Sequence, residues 1–200
     1  MNNKIKLLDG SMSFPLEKKG YNLHDKLWTG KALINDPDLI KNIHKGYIEA
    51  GADYISTATY QISFNRLKEM GYQPDEIKEI FQKSVDLVKD AILESEPKNE
   101  IKIVGSFGPY ASFDPEASEY VGEYNVSDNA IMNFHLNNIR VIEETDLDIL
   151  LYETIPCLRE IEILSKILFH SSKEIWISVT CNENIEFRDG SSFEEACKII

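Results

Sequence analysis

Asp148-Ile149-Leu150-Leu151-Tyr152-Glu153-Thr154-Ile155-Pro156 is the stretch whose reading decides the fold. Four apolar residues in a row predict a strand buried on both faces, as in a parallel sheet. The run stops at a carboxylate, Glu153, and Pro156 breaks the strand. A helical pattern follows at once, with Leu158, Ile161, Leu164, Ile167 and Leu168 at helical spacing. A charged side chain at the C-terminal edge of such a strand stands where α/β proteins place their chemistry.

Outward from that stretch the same alternation repeats. Strands are predicted at residues 5–8, ending at Asp9-Gly10, then at 54–60, 101–106 and 174–181. Between them lie helical patterns. One starts at Asn35-Asp36-Pro37, where Asn35 or Asp36 can cap and Pro37 suits the first turn. Others run from about Pro74 to Leu93, from a Ser127-Asp128 cap, and from Ser191 or Ser192 onward. Residues 11–30 and the stretch from Phe107 to about Val126 read as loop-rich, the first containing an amphipathic piece, Leu23 to Trp28.

Repeated β-α units imply a parallel sheet with right-handed crossovers. Two architectures fit: an open five-stranded doubly wound sheet, or the N-terminal part of a (β/α)₈ barrel. At roughly 40 residues per unit, eight units need about 300 residues, more than this chain has.

The chain has 200 residues, 42% hydrophobic and 28% charged, with a net charge of −13. That charge disfavours a nucleic-acid partner. No apolar run is long enough to span a bilayer, and no signal-peptide pattern opens the chain. A cytoplasmic location is the expectation. Cys157, Cys181 and Cys197 are odd in number and widely spaced, which fits neither a disulfide framework nor a zinc ribbon. No Gly-rich pyrophosphate loop follows the first strand, so a nucleotide-binding reading is weak.

At the predicted strand ends stand Asp9, Tyr60-Gln61, Ser106 to Tyr110, Glu153 and Cys181. Two carboxylates, an amide and a tyrosine on one rim suit a small polar ligand bearing an amine, such as an amino acid. Each also has a plainer reading. Asp9-Gly10 is ordinary turn composition, Glu153 suits the start of the next helix, and Cys181 reads as a buried small hydrophobe.

Taken in order, Leu7-Leu8-Asp9-Gly10, Leu27-Trp28, residues 47–53, Thr57-Ala58-Thr59-Tyr60-Gln61, Gly108-Pro109-Tyr110, Ser118-Glu119-Tyr120-Val121-Gly122-Glu123-Tyr124, Glu153-Thr154-Ile155-Pro156 and Arg188-Asp189-Gly190-Ser191-Ser192 resemble the homocysteine S-methyltransferase family. The resemblance covers essentially the whole chain. It implies a (β/α)₈ TIM-type barrel of which about the first five βα units are present, residues 1–200 being the N-terminal part of a homocysteine-binding domain. It implies methyl transfer to homocysteine, giving methionine, from a donor such as S-methylmethionine or S-adenosylmethionine. By motif position Asp9 and Glu153 would hold the homocysteine amino group, with Tyr60 and Gln61 lining the pocket.

The family also implies zinc held by three cysteines, which keeps the acceptor sulfur a thiolate. Its ligand motifs, Gly-x-Asn-Cys and Gly-Gly-Cys-Cys, do not occur here, and none of the three cysteines matches a ligand position. No metal ligand and no catalytic residue is therefore assigned. The first loop departs as well: Phe14-Pro15 replaces a polar pair beside the expected donor pocket. The expectation is a truncated chain, lacking the last barrel units and open to a complementing C-terminal fragment. The alternative is a non-catalytic amino-acid-binding remnant or interaction module.

Overall fold

The computed structural model describes residues 5–23, 27–114 and 120–200. His24, Asp25 and Lys26 of the amphipathic piece, and Ser118-Glu119 of the motif before Tyr120, lie outside the described residues. In chain order the elements are α1 (Ser13–Lys18), α2 (Gly30–Asn35), α3 (Pro37–Glu49), β1 (Tyr54–Ser56), α4 (Phe64–Glu69), α5 (Pro74–Ser95), β2 (Lys102–Phe107), α6 (Asp128–Ile142), β3 (Ile149–Ile155), α7 (Leu158–Leu168), β4 (Glu174–Val179) and α8 (Phe193–Ile199). The four strands form one parallel sheet in the order β1-β2-β3-β4.

The fold is α/β of the (β/α)₈ type, with part of the barrel wall built. The strands run in chain order with no reversal, as in a barrel wall and unlike a doubly wound sheet, and the segment expected to be the first strand makes only one parallel bridge among the described residues, Leu8 to Tyr54. It nevertheless lies along β1: the Asp53 and Tyr54 amides donate to the Leu7 carbonyl, and the Asp9 amide donates to the Tyr54 carbonyl. Ile5 and Leu7 are exposed there, so little apolar burial draws the segment into a longer ladder.

β1 stops at Ser56 rather than running to Tyr60. The reason is local: the Thr57 and Thr59 hydroxyls bond to each other at 2.7 Å, and Thr59 donates to the Ser106 carbonyl at 2.7 Å. Side-chain bonds of this kind turn the chain away from a ladder.

Alternation along the strands sorts the two faces. Ile103 and Phe107 of β2 and Leu150 and Tyr152 of β3 join the main core under α3, α5 and α7. Val104, Ile149 and Leu151 form a second cluster on the opposite face, with Tyr54 and Trp176 packed against it. The Tyr54 and Trp176 rings meet edge-on, 4.8 Å apart. Ser56, Ser106 and Glu153 continue this second face toward the C-terminal ends of their strands.

Helix starts follow the expected chemistry at Ser127 and Ser192, whose side chains accept from the Ala130 and Glu195 amides. Asp36 makes no side-chain cap, although Pro37 does open α3. Ser191 serves a different helix, its hydroxyl accepting from the Leu158 amide at the start of α7. No described helix is long and apolar enough to cross a membrane.

Candidate functional site

β1, β2 and β3 deliver side chains from their C-terminal ends to one cavity of about 370 Å³. Asp9, Tyr60 and Glu153 all line it; Gln61 is not among the lining residues. The two carboxylates come from the opening segment and from β3, far apart in sequence.

Each carboxylate is fixed by a serine one strand away. The Ser56 amide donates to Asp9 at 2.9 Å and the Ser56 hydroxyl at 2.8 Å. The Ser106 hydroxyl donates to Glu153 Oε1. These bonds favour the charged forms, but burial outweighs them. Desolvation pushes Asp9 up to about 7, with the neighbouring Glu153 charge adding to the rise. Desolvation also raises Glu153, against the opposing bond from Ser106. At neutral pH the cavity therefore holds two acids whose negative charges are poorly solvated, which is what a cationic ligand relieves.

The end of β3 is not a regular strand. Its pairing with β4 shifts register between Tyr152 and Ile155, and Thr154 takes φ 61°, in the left-handed region. A β-branched residue there is strained. The bulge has a consequence for the site: Glu153 and Thr154, which strict alternation would send to opposite faces, both line the cavity. The Thr154 and Tyr60 hydroxyls lie 2.5 Å apart, tying β3 to the loop after β1. The Thr154 amide is satisfied in turn by the Ser178 hydroxyl of β4 at 3.1 Å.

That loop is fixed from β2 as well. The Gly108 amide donates to the Tyr60 carbonyl at 3.0 Å. A Cβ on Gly108 would stand 2.8 Å from the same carbonyl oxygen, so the Gly108-Pro109-Tyr110 signal has a steric cause beyond turn propensity. Trp28, also with a positive φ of 46°, and Tyr120 add aromatic surface to the cavity.

Sequence reasoning placed Asp9, Tyr60 and Glu153 at strand ends and missed Ser56 and Thr154. Ser56 is recoverable from the strand's own alternation, being two residues beyond Tyr54. Thr154 has no such signal, because nothing in an apolar run announces a left-handed residue.

Among the described residues no group of three or more His, Cys, Asp and Glu side chains could hold a metal ion. Cys157 is buried, with desolvation and then Glu160 pushing its thiol up to about 12, so it is no thiolate donor. Cys181 is half-buried and Cys197 exposed on α8. These residues do not fit a zinc site, and no step through a metal is derived from them.

Three comparisons bear on this geometry. The family model described as Homocysteine S-methyltransferase matches residues 6–200. The Homocysteine S-methyltransferase YbgG of Bacillus subtilis is 35% identical, over 92% of this chain and 61% of that protein. The Homocysteine S-methyltransferase of Escherichia coli is 32% identical, over 98% of this chain and 65% of that protein. Among solved structures, the metallated form of the homocysteine methyltransferase MmuM from Escherichia coli superposes with a TM-score of 0.90 at 31% identity. That match covers 99% of this chain and 71% of the other. The chain thus spans less than two thirds of the length of these two curated relatives.

Proposed function

Because the chain belongs to the homocysteine S-methyltransferase family, we propose that its cavity holds an amino-acid acceptor, homocysteine, by the ammonium group between Asp9 and Glu153. The observation that carries this reading is the pair of half-buried acids from two separate elements in one cavity, both raised above the ordinary carboxylate range. An ammonium offers three N–H donors and a positive charge to two acceptors that lack both. Its arrival drives the pair toward full ionisation, so binding near or below pH 7 releases a proton from Asp9. Tyr60, its hydroxyl paired with that of Thr154, lines the same cavity and helps orient the ligand.

The proposed reaction is methyl transfer from a sulfonium donor such as S-methylmethionine or S-adenosylmethionine. A lone pair on the acceptor sulfur forms the new S–CH₃ bond. The donor's methyl–sulfur bond breaks with its electron pair staying on the donor sulfur, and the acceptor's thiol proton passes to solvent. The residues of this chain bind and orient the acceptor. Zinc, the metal the family resemblance implies, would keep that sulfur deprotonated; its ligands are proposed to come from a complementing polypeptide carrying the part of the relatives that this chain does not match.

Calorimetry with L-homocysteine and L-methionine tests the binding half. Asp9→Asn and Glu153→Gln are each expected to weaken binding about tenfold or more, the scale of one charge-assisted hydrogen bond. Binding indifferent to both substitutions overturns the reading. Methionine formation with each donor, with and without a C-terminal fragment of the Escherichia coli relative, tests the chemical half. Chelator-insensitive binding without turnover in either condition would make the chain a non-catalytic amino-acid-binding module.

A further inference from the structure

A second buried carboxylate, away from the cavity, has no part in the function proposed above. Glu160, in the first turn of α7, is fully buried. Three donors converge on it, from the loop after β2, from segment 120–126 and from α6. They are the Tyr110 amide at 2.7 Å, the Tyr124 hydroxyl at 2.6 Å and His135 Nε2 of α6 at 2.7 Å. A buried charge is tolerable only when its oxygens are covered in this way. Burial, and then the Glu160 charge itself, hold the Tyr124 phenol protonated well above its ordinary range, so it stays a donor.

Tyr124 belongs to segment 120–126, which is gripped at both ends. Arg159, beside Glu160, donates to the Tyr124 carbonyl at 3.3 Å and to the Val126 carbonyl at 2.6 Å. Arg188 donates to the Tyr120 carbonyl at 2.9 Å. Gly122, at φ +81°, lies so close to Pro156 that a Cβ would stand 2.7 Å from its carbonyl oxygen. The first residue of this strap, Tyr120, lines the cavity.

We propose that Glu160 is a positioning residue of the cavity, fastening segment 120–126 so that Tyr120 walls one side of the ligand site; this rests on the acceptor-site reading above. The β3–α7 unit then does two things within eight residues. Its strand end presents Glu153 to the ligand, and its first helical turn holds the strap at Tyr124 and Val126, the far end from Tyr120, which is itself 60% exposed and held by Arg188. The base of the wall and the acid that grips the ligand are thereby set by one βα unit.

The test combines amide hydrogen exchange with calorimetry on the 200-residue chain, using Tyr124→Phe and Glu160→Gln. Tyr124→Phe removes one hydroxyl and leaves the other two donors on Glu160, so it keeps the fold even where Glu160→Gln does not. The expected result is exchange about tenfold faster across 120–126 in Tyr124→Phe, with α5 amides unchanged and homocysteine binding about tenfold weaker. Adding Glu160→Gln to Tyr124→Phe is expected to weaken binding by less than the product of the two single losses, because both act through one bond. Unchanged exchange at 120–126, loss of protection spread evenly over the chain, or a loosened strap with undiminished binding each overturns the proposal. If the wild-type chain binds no homocysteine, the acceptor reading fails, and exchange at 120–126 alone then decides whether Glu160 holds the strap.

Discussion

Asp9, half-buried at the cavity, and His44, fully buried in α3, are acid and base of opposite tendency, and pH acts on them in opposite senses. Asp9 sits at about 7 in the folded chain, above the ~3.9 of an unfolded aspartate. Its burial costs nothing below about pH 4, and the cost grows as pH rises through 7, to about 4 kcal/mol at most. Asp9→Asn is therefore expected to raise the urea midpoint at pH 8 and leave it nearly unchanged at pH 4, while ligand binding falls. His44 of α3 is fully buried, neither ring nitrogen has a hydrogen-bond partner among the described residues, and desolvation lowers it to about 4. The unfolded chain takes up that proton first, so stability is fully present above pH 6.5 and is lost as pH falls to 4, by about 3 kcal/mol at most. His44→Met removes that loss and leaves the Asp9 slope unopposed, so its urea midpoint is expected to be higher at pH 5 than at pH 7. Between those limits the two groups oppose each other, and the wild-type profile should be shallower than that of either variant.

At the scale of single elements, the bulge in β3 separates what the sequence showed from what it hid. The strand itself was legible from Ile149 to Tyr152, because burial on both faces demands an apolar run. So were α3, α5, α6 and α7, each long enough for the 3.6-residue period to register. α1, α2 and α4 have six residues each, fewer than two turns, and tertiary packing of Leu16, Leu33 and Leu67 decides them. The left-handed Thr154 was hidden because backbone strain leaves no compositional trace. Its cost should be measurable: Thr154→Ser keeps the hydroxyl near Tyr60 and lightens the β-branched strain, so it is expected to be neutral or stabilising by up to about 1 kcal/mol. Thr154→Val keeps the strain and loses the bond, and is expected to destabilise by about 1 kcal/mol. Chemical denaturation of both variants reads the difference. The site was legible to the same depth, since strand ends could be located from the pattern while the serines clamping the two acids needed the register between strands.

Across the whole molecule, the family and the fold came from the ordered set of motifs, each weak alone. Gly108-Pro109-Tyr110 is a turn signal in any protein; here it is also a point of contact between the loops after β1 and β2. The expectation that failed, a fifth strand at residues 5–8, failed at the margin of the sheet. Interior strands have two neighbours and two covered faces to enforce them, whereas the opening segment has β1 alone. Asp9 still reaches the cavity, because one bridge and three backbone hydrogen bonds suffice to set the direction of the chain.

The sheet's spatial order repeats its chain order, each strand lying beside the one made before it. A ribosome therefore never has to hold a completed strand in reserve for a neighbour still to be synthesised. Each βα unit can dock on the edge left by its predecessor, and no later strand must be inserted between two already paired. Growth of this kind proceeds by addition at one side, and the carboxyl ends of the strands gather on a common rim from the first pairing onward.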